Sequence, residues 1–238
     1  MADPALEPVP EDWGRALAVV AHPDDMEYGA ASAVARWTSQ GKDVRYLLVT
    51  KGEAGIESMA PAQVAPLRMD EQRASCAAVG VTDVSFLEHP DGLVVADLGL
   101  RRDVAAGIRQ HRPDVVLGIN YRDSWGGPSW NHADHRAVGV ALLDAVRDAA
   151  NPWLFADVGD AWGGVQFVAF SGSPVPTHGV DVGEHLDAGV ASLRCHELYL
   201  AGLDGDMADA GSWLRESAEA AGPSLGVDLA TTFEIVSV

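Results

Sequence analysis

The sequence predicts an α/β fold, a three-layer sandwich around a mainly parallel, Rossmann-like sheet, and three observations carry that expectation. Short apolar runs alternate with stretches of helical length and pattern along most of the chain. The first strand, helix and strand follow within about thirty-five residues, the βαβ arrangement that implies a right-handed crossover between parallel strands. Polar and titratable residues collect just beyond the strands, where an open α/β sheet gathers its ligands.

The elements follow in order. ALAVVA (16–21) is too short for a helix and apolar throughout, as a strand buried on both faces must be. Residues 27–40 read as a helix stopped by Gly41, and VRYLLVT (44–50), rich in β-branched and aromatic residues, as the second strand. MDEQRASCAAVG (69–80) gives a helix ended by Gly80, VSFLE (84–88) a strand, LGLRRDVAAGIRQH (98–111) a helix and PDVVLGIN (113–120) a strand. A helix over 132–150 stops at Asn151-Pro152, and QFVAFS (166–171) is the next strand. A long helix over 183–201 and a polar tail ending in the strand-like TTFEIVSV (231–238) close the chain. MADPALEPVPEDWG (1–14), with its acids and prolines, reads as a flexible arm, leaving 15–238 as a single domain.

Composition narrows the partners. Of 238 residues, 47% are hydrophobic and 21% charged, the balance of an ordinary globular protein. Sixteen basic against thirty-five acidic residues give a net charge of −19, which repels nucleic acid and anionic membrane surfaces and leaves a small molecule as the expected partner. No apolar run reaches the roughly 18 residues of a membrane span, and the acidic N-terminus lacks a secretory pattern, so the expected location is cytoplasmic. Cys76 and Cys195 offer neither a disulfide framework nor a thiolate metal site, and are expected to be buried free thiols. Homo-oligomerisation is left open.

The chemistry lies in two motifs. A dinucleotide site would place G-x-G-x-x-G after the first strand, whereas this chain has HPDD, whose carboxylates repel a pyrophosphate. A cation makes those carboxylates favourable. His22 and Asp25 stand three residues apart across a turn and form a ligand pair that zinc accepts. A third ligand should come from WNHADHR (130–136), where His132 and His135 have i, i+3 spacing and Asp134 lies between them. One histidine can bind metal while the other donates to a substrate oxygen, its ring held by a carboxylate such as Asp134. One of Asp24 and Asp25 can ligate while the other accepts a proton from the attacking water. Each motif taken alone also reads as a helix start, with Asp24 capping ahead of Glu27 and Asn131-His132-Ala133-Asp134 opening the later helix.

Together, AHPDDME (21–27) and HADH (132–135) resemble the signatures of the zinc-dependent de-N-acetylases that include the PIG-L and LmbE-like proteins and the deacetylases of mycothiol and bacillithiol synthesis. Weaker similarity runs through VTKGEAG (49–55), Arg68 and Glu71, HPDG (89–92), RPDVVL (112–117) and SLRCH (192–196). The resemblance implies an LmbE-like sheet and one Zn²⁺ per chain, or another divalent metal, on His22, Asp25 and His135. It makes Asp24 the general base, gives His132 the oxyanion and the leaving amine, has Asp134 tune His132, and places Arg68 and Asp91 at the substrate. The implied activity is removal of an acetyl group from an N-acetylated small molecule, with an N-acetylglucosaminyl compound as the substrate class. The alternatives are an amidase acting on a thiol conjugate and a non-catalytic metal or sugar sensor. A phosphoesterase commonly needs two bridged metals, and only one three-ligand set is visible. One departure stands out: the family's late helix often runs H-x-S-Q, where this chain has His196-Glu197-Leu198-Tyr199. Trp125 and Trp130, before the histidine pair, suit either stacking on a sugar or packing in a lid.

Overall fold

The computed structural model describes residues 5–203 and 205–238. Its elements are β1 (Glu7–Pro8), β2 (Arg15–Val20), α1 (Asp25–Gly29), α2 (Ala31–Ser39), β3 (Asp43–Leu48), α3 (Pro61–Ala78), β4 (Asp83–Phe86), α4 (Leu98–His111) and β5 (Val115–Ile119). There follow β6 (Ser124–Gly126), β7 (Ser129–Trp130), α5 (Ala133–Ala150), β8 (Phe167–Ser171), β9 (His178–Asp181), α6 (Leu186–Arg194), α7 (Glu197–Leu200), α8 (Ala210–Leu225) and β10 (Ala230–Ser237).

Eight strands make one sheet in the order β1-β9-β10-β8-β5-β2-β3-β4. Neighbours pair parallel except at β10, which runs antiparallel to both β8 and β9. The expected α/β sandwich with a mainly parallel sheet is therefore the observed one. From β2 the chain moves outward to β3 and β4, then returns to lay β5 and β8 on the other side. The strand order thus reverses between β2 and β5, and a crevice opens beyond their carboxyl ends.

The period-two alternation of a strand builds the layers. Along 16–21, Ala16, Ala18 and Val20 enter one core while Leu17, Val19 and Ala21 enter the other. The first core receives Val34 and Trp37 of α2, Leu193 of α6 and Leu214 of α8; the second receives Val104 and Ile108 of α4 with Leu142 and Val146 of α5. Both faces of the central strands are covered, which is why they are apolar without a polar side.

Several boundaries differ from the sequence reading. The arm expected at 1–14 lies outside the described residues over 1–4; from residue 5 on it is docked, with Glu7 and Pro8 paired to β9 and Val9 and Trp13 buried. Apolar area and polar anchoring explain this. Trp13 packs edge-on against Trp37 at 5.2 Å between ring centroids, Trp37 Nε1 donates to Glu11 Oε1 at 2.8 Å, and Lys42 Nζ donates to the Trp13 carbonyl at 2.8 Å. The helix expected at 69–80 begins at Pro61, where proline suits the first helical position, and continues through Pro66. The helix expected at 183–201 breaks at Cys195 and His196 into α6 and α7. The polar tail contains α8, whose buried residues Ala210, Leu214, Ala218 and Gly222 recur every four positions, mostly with small side chains. Cys76 is buried as expected, but Cys195 is only partly so.

Trp37 is fully buried and joins the N-terminal segment to the sheet. Trp37→Ala is expected to cost about 3–5 kcal/mol, read as a lowered midpoint in urea unfolding.

Candidate metal centre

The turn after β2 separates two adjacent carboxylates. Asp24 takes φ 96°, a left-handed conformation that costs a non-glycine residue, and the following Asp25 begins α1. The expected capping role of Asp24 is not what the turn uses, because its side chain makes no cap bond. Instead Asp24 Oδ2 accepts from Arg68 at 2.8 Å, and its backbone N–H donates to Gln72 Oε1 at 3.1 Å. Asp25 points the other way. Its Oδ2 accepts the N–H groups of Ala21 and His22, both at 2.9 Å, which leaves Oδ1 facing His135 Nε2 at 3.0 Å and His22 Nδ1 at 3.6 Å.

His22 Nδ1 and His135 Nε2 are themselves 3.2 Å apart, although 113 positions separate them in sequence. Three donor atoms therefore form a triangle with edges of 3.0, 3.2 and 3.6 Å. A tetrahedral zinc with ligands at about 2.0–2.2 Å requires donor separations of roughly 3.3–3.6 Å, so the triangle fits such an ion with little adjustment. His22, Asp25 and His135 are the three residues on which the family resemblance would place the metal.

The surrounding bonds decide which ring nitrogens are free. Asn131 Nδ2 donates to the carbonyls of Asn120 and Arg122 at 2.7 and 2.9 Å, which turns Oδ1 toward His135 Nδ1 at 3.0 Å. The His135 proton belongs on Nδ1, and the Nε2 lone pair faces the triangle. On the far edge of His22, Nε2 lies 3.1 Å from Asp91 Oδ1 and 3.2 Å from Asp134 Oδ2. His22, Asp91 and Asp134 also converge closely enough to suggest a ligand set, but these carboxylates are engaged elsewhere. Asp134 accepts from the N–H groups of Gly92 and Val94 at 2.7 and 3.1 Å, and Asp91 Oδ2 accepts from Ala54 at 2.8 Å. They engage Nε2 of His22, so that Nδ1 is the nitrogen directed at the triangle.

This corrects the expected partner of Asp134, whose carboxylate holds His22 rather than the His132 ring. The reason is the loop at 92–94, which draws the carboxylate toward its own N–H groups. His132 sits at the N-cap of α5, and its Nδ1 accepts the Asp134 N–H at 3.2 Å, so the neutral ring carries its proton on Nε2. The later motif therefore opens a helix as well as supplying the site. A ring nitrogen of His132 lies within 4.8 Å of both His22 and His135, and its own ring is exposed to the cleft.

Charge follows from this crowding. Burial works against a charged His22, yet Asp25, Asp134 and Asp91 hold its pKa well above the imidazole range. Burial also opposes ionisation of Asp25, but His135 and His22 keep its carboxyl well below the usual range. Burial raises Asp24, against the pull of Arg68. Burial and the neighbouring His22 and His135 lower His132. Four carboxylates face one arginine and a group of imidazoles, a surplus of negative charge that a divalent cation neutralises.

Arg68 is buried, accepted by the Pro23 carbonyl and Asp24, and covered by the Tyr199 ring at 4.0 Å. The departure from H-x-S-Q thus puts a tyrosine over this guanidinium. A Cβ at Gly55 would lie 2.6 Å from Arg68 Nη1, which explains the glycine in VTKGEAG. Gln72 has no role in the sequence reading, and Glu27 and Asn131 enter it only as parts of helix starts. Gln72 ties the Asp24 backbone to Glu27, donating to Glu27 Oε1 at 2.8 Å. A cleft of about 460 Å³ opens over the triangle, lined by Asp24, Arg68, Asp91, His132 and Trp125 among others.

Residues 17–146 match the family described as PIG-L, GlcNAc-PI de-N-acetylase, a span that holds every site residue named from the motifs. The diacetylchitobiose deacetylase of Thermococcus kodakarensis is 28% identical over 193 residues, covering 78% of this chain and 70% of that protein. The 1D-myo-inositol 2-acetamido-2-deoxy-alpha-D-glucopyranoside deacetylase of Acidothermus cellulolyticus is 29% identical, covering 79% of this chain and 80% of that one. Among solved structures, the N,N'-diacetylchitobiose deacetylase from Pyrococcus horikoshii shares the fold with a TM-score of 0.84 at 23% identity, over 95% of this chain and 85% of its own.

Titration of the purified chain with Zn²⁺ is expected to give one tight site, lost in Asp25→Ala and in His135→Ala. Asp134→Asn should keep the stoichiometry and weaken affinity about 10–100-fold, as measured by competition with a chelating dye.

Proposed function

The chain belongs to the PIG-L family of GlcNAc-PI de-N-acetylases, and on that premise we propose that it is a zinc-dependent amide hydrolase that removes acetyl from an N-acetylglucosaminyl small molecule. The observation that carries the reading is the convergence of His22 Nδ1, Asp25 Oδ1 and His135 Nε2 at 3.0–3.6 Å beneath a cleft where Asp24 and His132 stand. The two deacetylase relatives, one with a 2-acetamido-2-deoxy sugar in its name, support the substrate class. No helix among the described residues is long and apolar enough to cross a membrane, in keeping with a small-molecule partner.

The residues of the chain have separable tasks in this reading. When bound, a divalent ion supplies Lewis acidity, polarising the amide carbonyl and making a water acidic. Asp24, fixed by Arg68 through its Oδ2, accepts the proton of the attacking water and can return it to the departing nitrogen. His132, with Nδ1 tied to the helix N-terminus, offers Nε2–H to the carbonyl oxygen as it gains charge. Asp91 and Asp134 keep His22 from turning. Bond breaking then leaves a carboxylate and a primary amine.

The test is amine release from N-acetylglucosamine and its small glycosides, with and without chelator. Chelator is expected to abolish release and added Zn²⁺ to restore it. Asp24→Asn should retain the metal and lose about 10²–10⁴-fold in kcat, and His132→Ala about 10²–10³-fold. Undiminished turnover in Asp24→Asn would overturn the base assignment. Tight metal binding without release from any substrate would favour a sensor.

A further inference from the structure

Beside the metal centre lies a second and larger cavity, of about 600 Å³, which shares part of its wall with the first. The two share Tyr28, Ile119, Trp125, His135 and Met207, so one corner of the triangle, His135, lies on the wall common to both, while His22 and Asp25 line the first alone. Their linings differ in kind. The first lobe carries Asp24, Arg68, Asp91 and His132. Among its described lining residues, the second has no Asp, Glu, Lys or Arg; Leu186, Trp213, Leu214, Ala218 and Ala221 line it together with the uncharged hydroxyls of Ser32, Ser129, Ser217, Thr231 and Thr232.

An amide held over the triangle must send its two halves in different directions. The departing nitrogen needs a proton, and the side chain placed to give one, Asp24, lines the charged lobe and not the apolar one. The amine half, with its sugar hydroxyls, therefore occupies the charged lobe, and the acyl half faces the apolar lobe. An acetyl methyl leaves most of that lobe empty. A dry cavity of about 150 Å³ already takes a benzene molecule, a quarter of the volume seen here. We propose that this lobe is an acyl-chain pocket, and that the chain hydrolyses N-acyl amino sugars whose acyl group is an alkyl or aryl chain well beyond acetyl. The inference rests on the amide-hydrolase reading. The step is the same hydrolysis: the acyl C–N bond breaks, a C–O bond forms to water oxygen, and the products are a longer carboxylate and the free amine.

Aromatic groups at the entrance fit this use. Trp125 and Trp130 of the β6–β7 hairpin are 38% and 67% exposed, an uncovered apolar rim between solvent and the cavity. Trp213 and Tyr28 meet edge-to-face at 6.4 Å on the same lining, and Tyr28 is tethered by its hydroxyl, which donates to the Met207 carbonyl at 2.8 Å.

The experiment compares amine release from glucosamine carrying N-acetyl, N-butyryl, N-hexanoyl and N-octanoyl groups, together with octyl N-acetylglucosaminide, whose alkyl chain is on the amine half. At about fourfold per buried methylene, N-hexanoyl is expected to exceed N-acetyl by roughly 200-fold in kcat/KM. Ala221→Trp should erase that advantage while acetyl release persists. Ser217→Trp, on the more exposed side of the same helix and lining the same cavity, should do the same where Ala221→Trp fails to fold. Release from N-acetyl alone, falling as the acyl chain lengthens, would overturn the pocket assignment and leave the deacetylase reading intact. A gain confined to octyl N-acetylglucosaminide, lost in Ala221→Trp, would overturn it in favour of an aglycone site. No release from any compound would instead defeat the hydrolase reading on which it rests.

Discussion

Two adjacent carboxylates buried at the end of a strand must be divided between different partners, and a single backbone angle makes the division. With Asp24 at φ 96°, its side chain leaves toward Arg68 while that of Asp25 turns back under the N–H groups of Ala21 and His22. Much else accommodates this turn. Arg68 must be buried to meet Asp24, Gly52 and Gly55 must lack side chains to admit the guanidinium, and Gln72 must accept the Asp24 N–H. The strain of a left-handed aspartate, about 1–3 kcal/mol, is offset by these bonds.

The histidines depend on a second kind of constraint, the assignment of their protons. An imidazole that is to ligate needs one nitrogen bare, which requires an acceptor for the proton on the other. Asn131 does this for His135, and Asp91 with Asp134 does it for His22. His132 is arranged the opposite way: the backbone N–H of Asp134 occupies its Nδ1, so the nitrogen that reaches the cleft is a donor. Neighbouring histidines of one short motif thus take different tautomers, and with them different chemical capacities.

Much of this was legible in the sequence because it is local. His22, Asp25 and His135 belong to motifs that follow β2 and β5, and the alternation of elements places both at one crevice. Orientation was not legible. The partner of Asp134 is chosen by backbone N–H groups at Gly92 and Val94, some forty positions away, and nothing in HADH reveals that loop. The bond between Gln72 and Glu27 is not legible because a buried polar network forms only when α3 meets α1. The helix α8 was hidden because close packing there uses small residues; a Cβ at Gly222 would lie 2.4 Å from the Asp228 carbonyl oxygen. The docking of the N-terminal segment is not legible in the sequence because Trp13 finds its apolar partner, Trp37, only across the fold.

The adjacency of β2 and β5 has a consequence for assembly. In the unfolded chain His22 and His135 are ends of a long loop, and holding both on one ion requires closing it. The native pairing of Ala16, Leu17 and Ala18 with Val115, Val116 and Leu117 performs that closure in advance. An ion that recognises the triangle therefore favours the folded chain over the unfolded one, by an amount that grows with its free concentration. Supply of the cation would set not only how fast such a protein works but how long it endures.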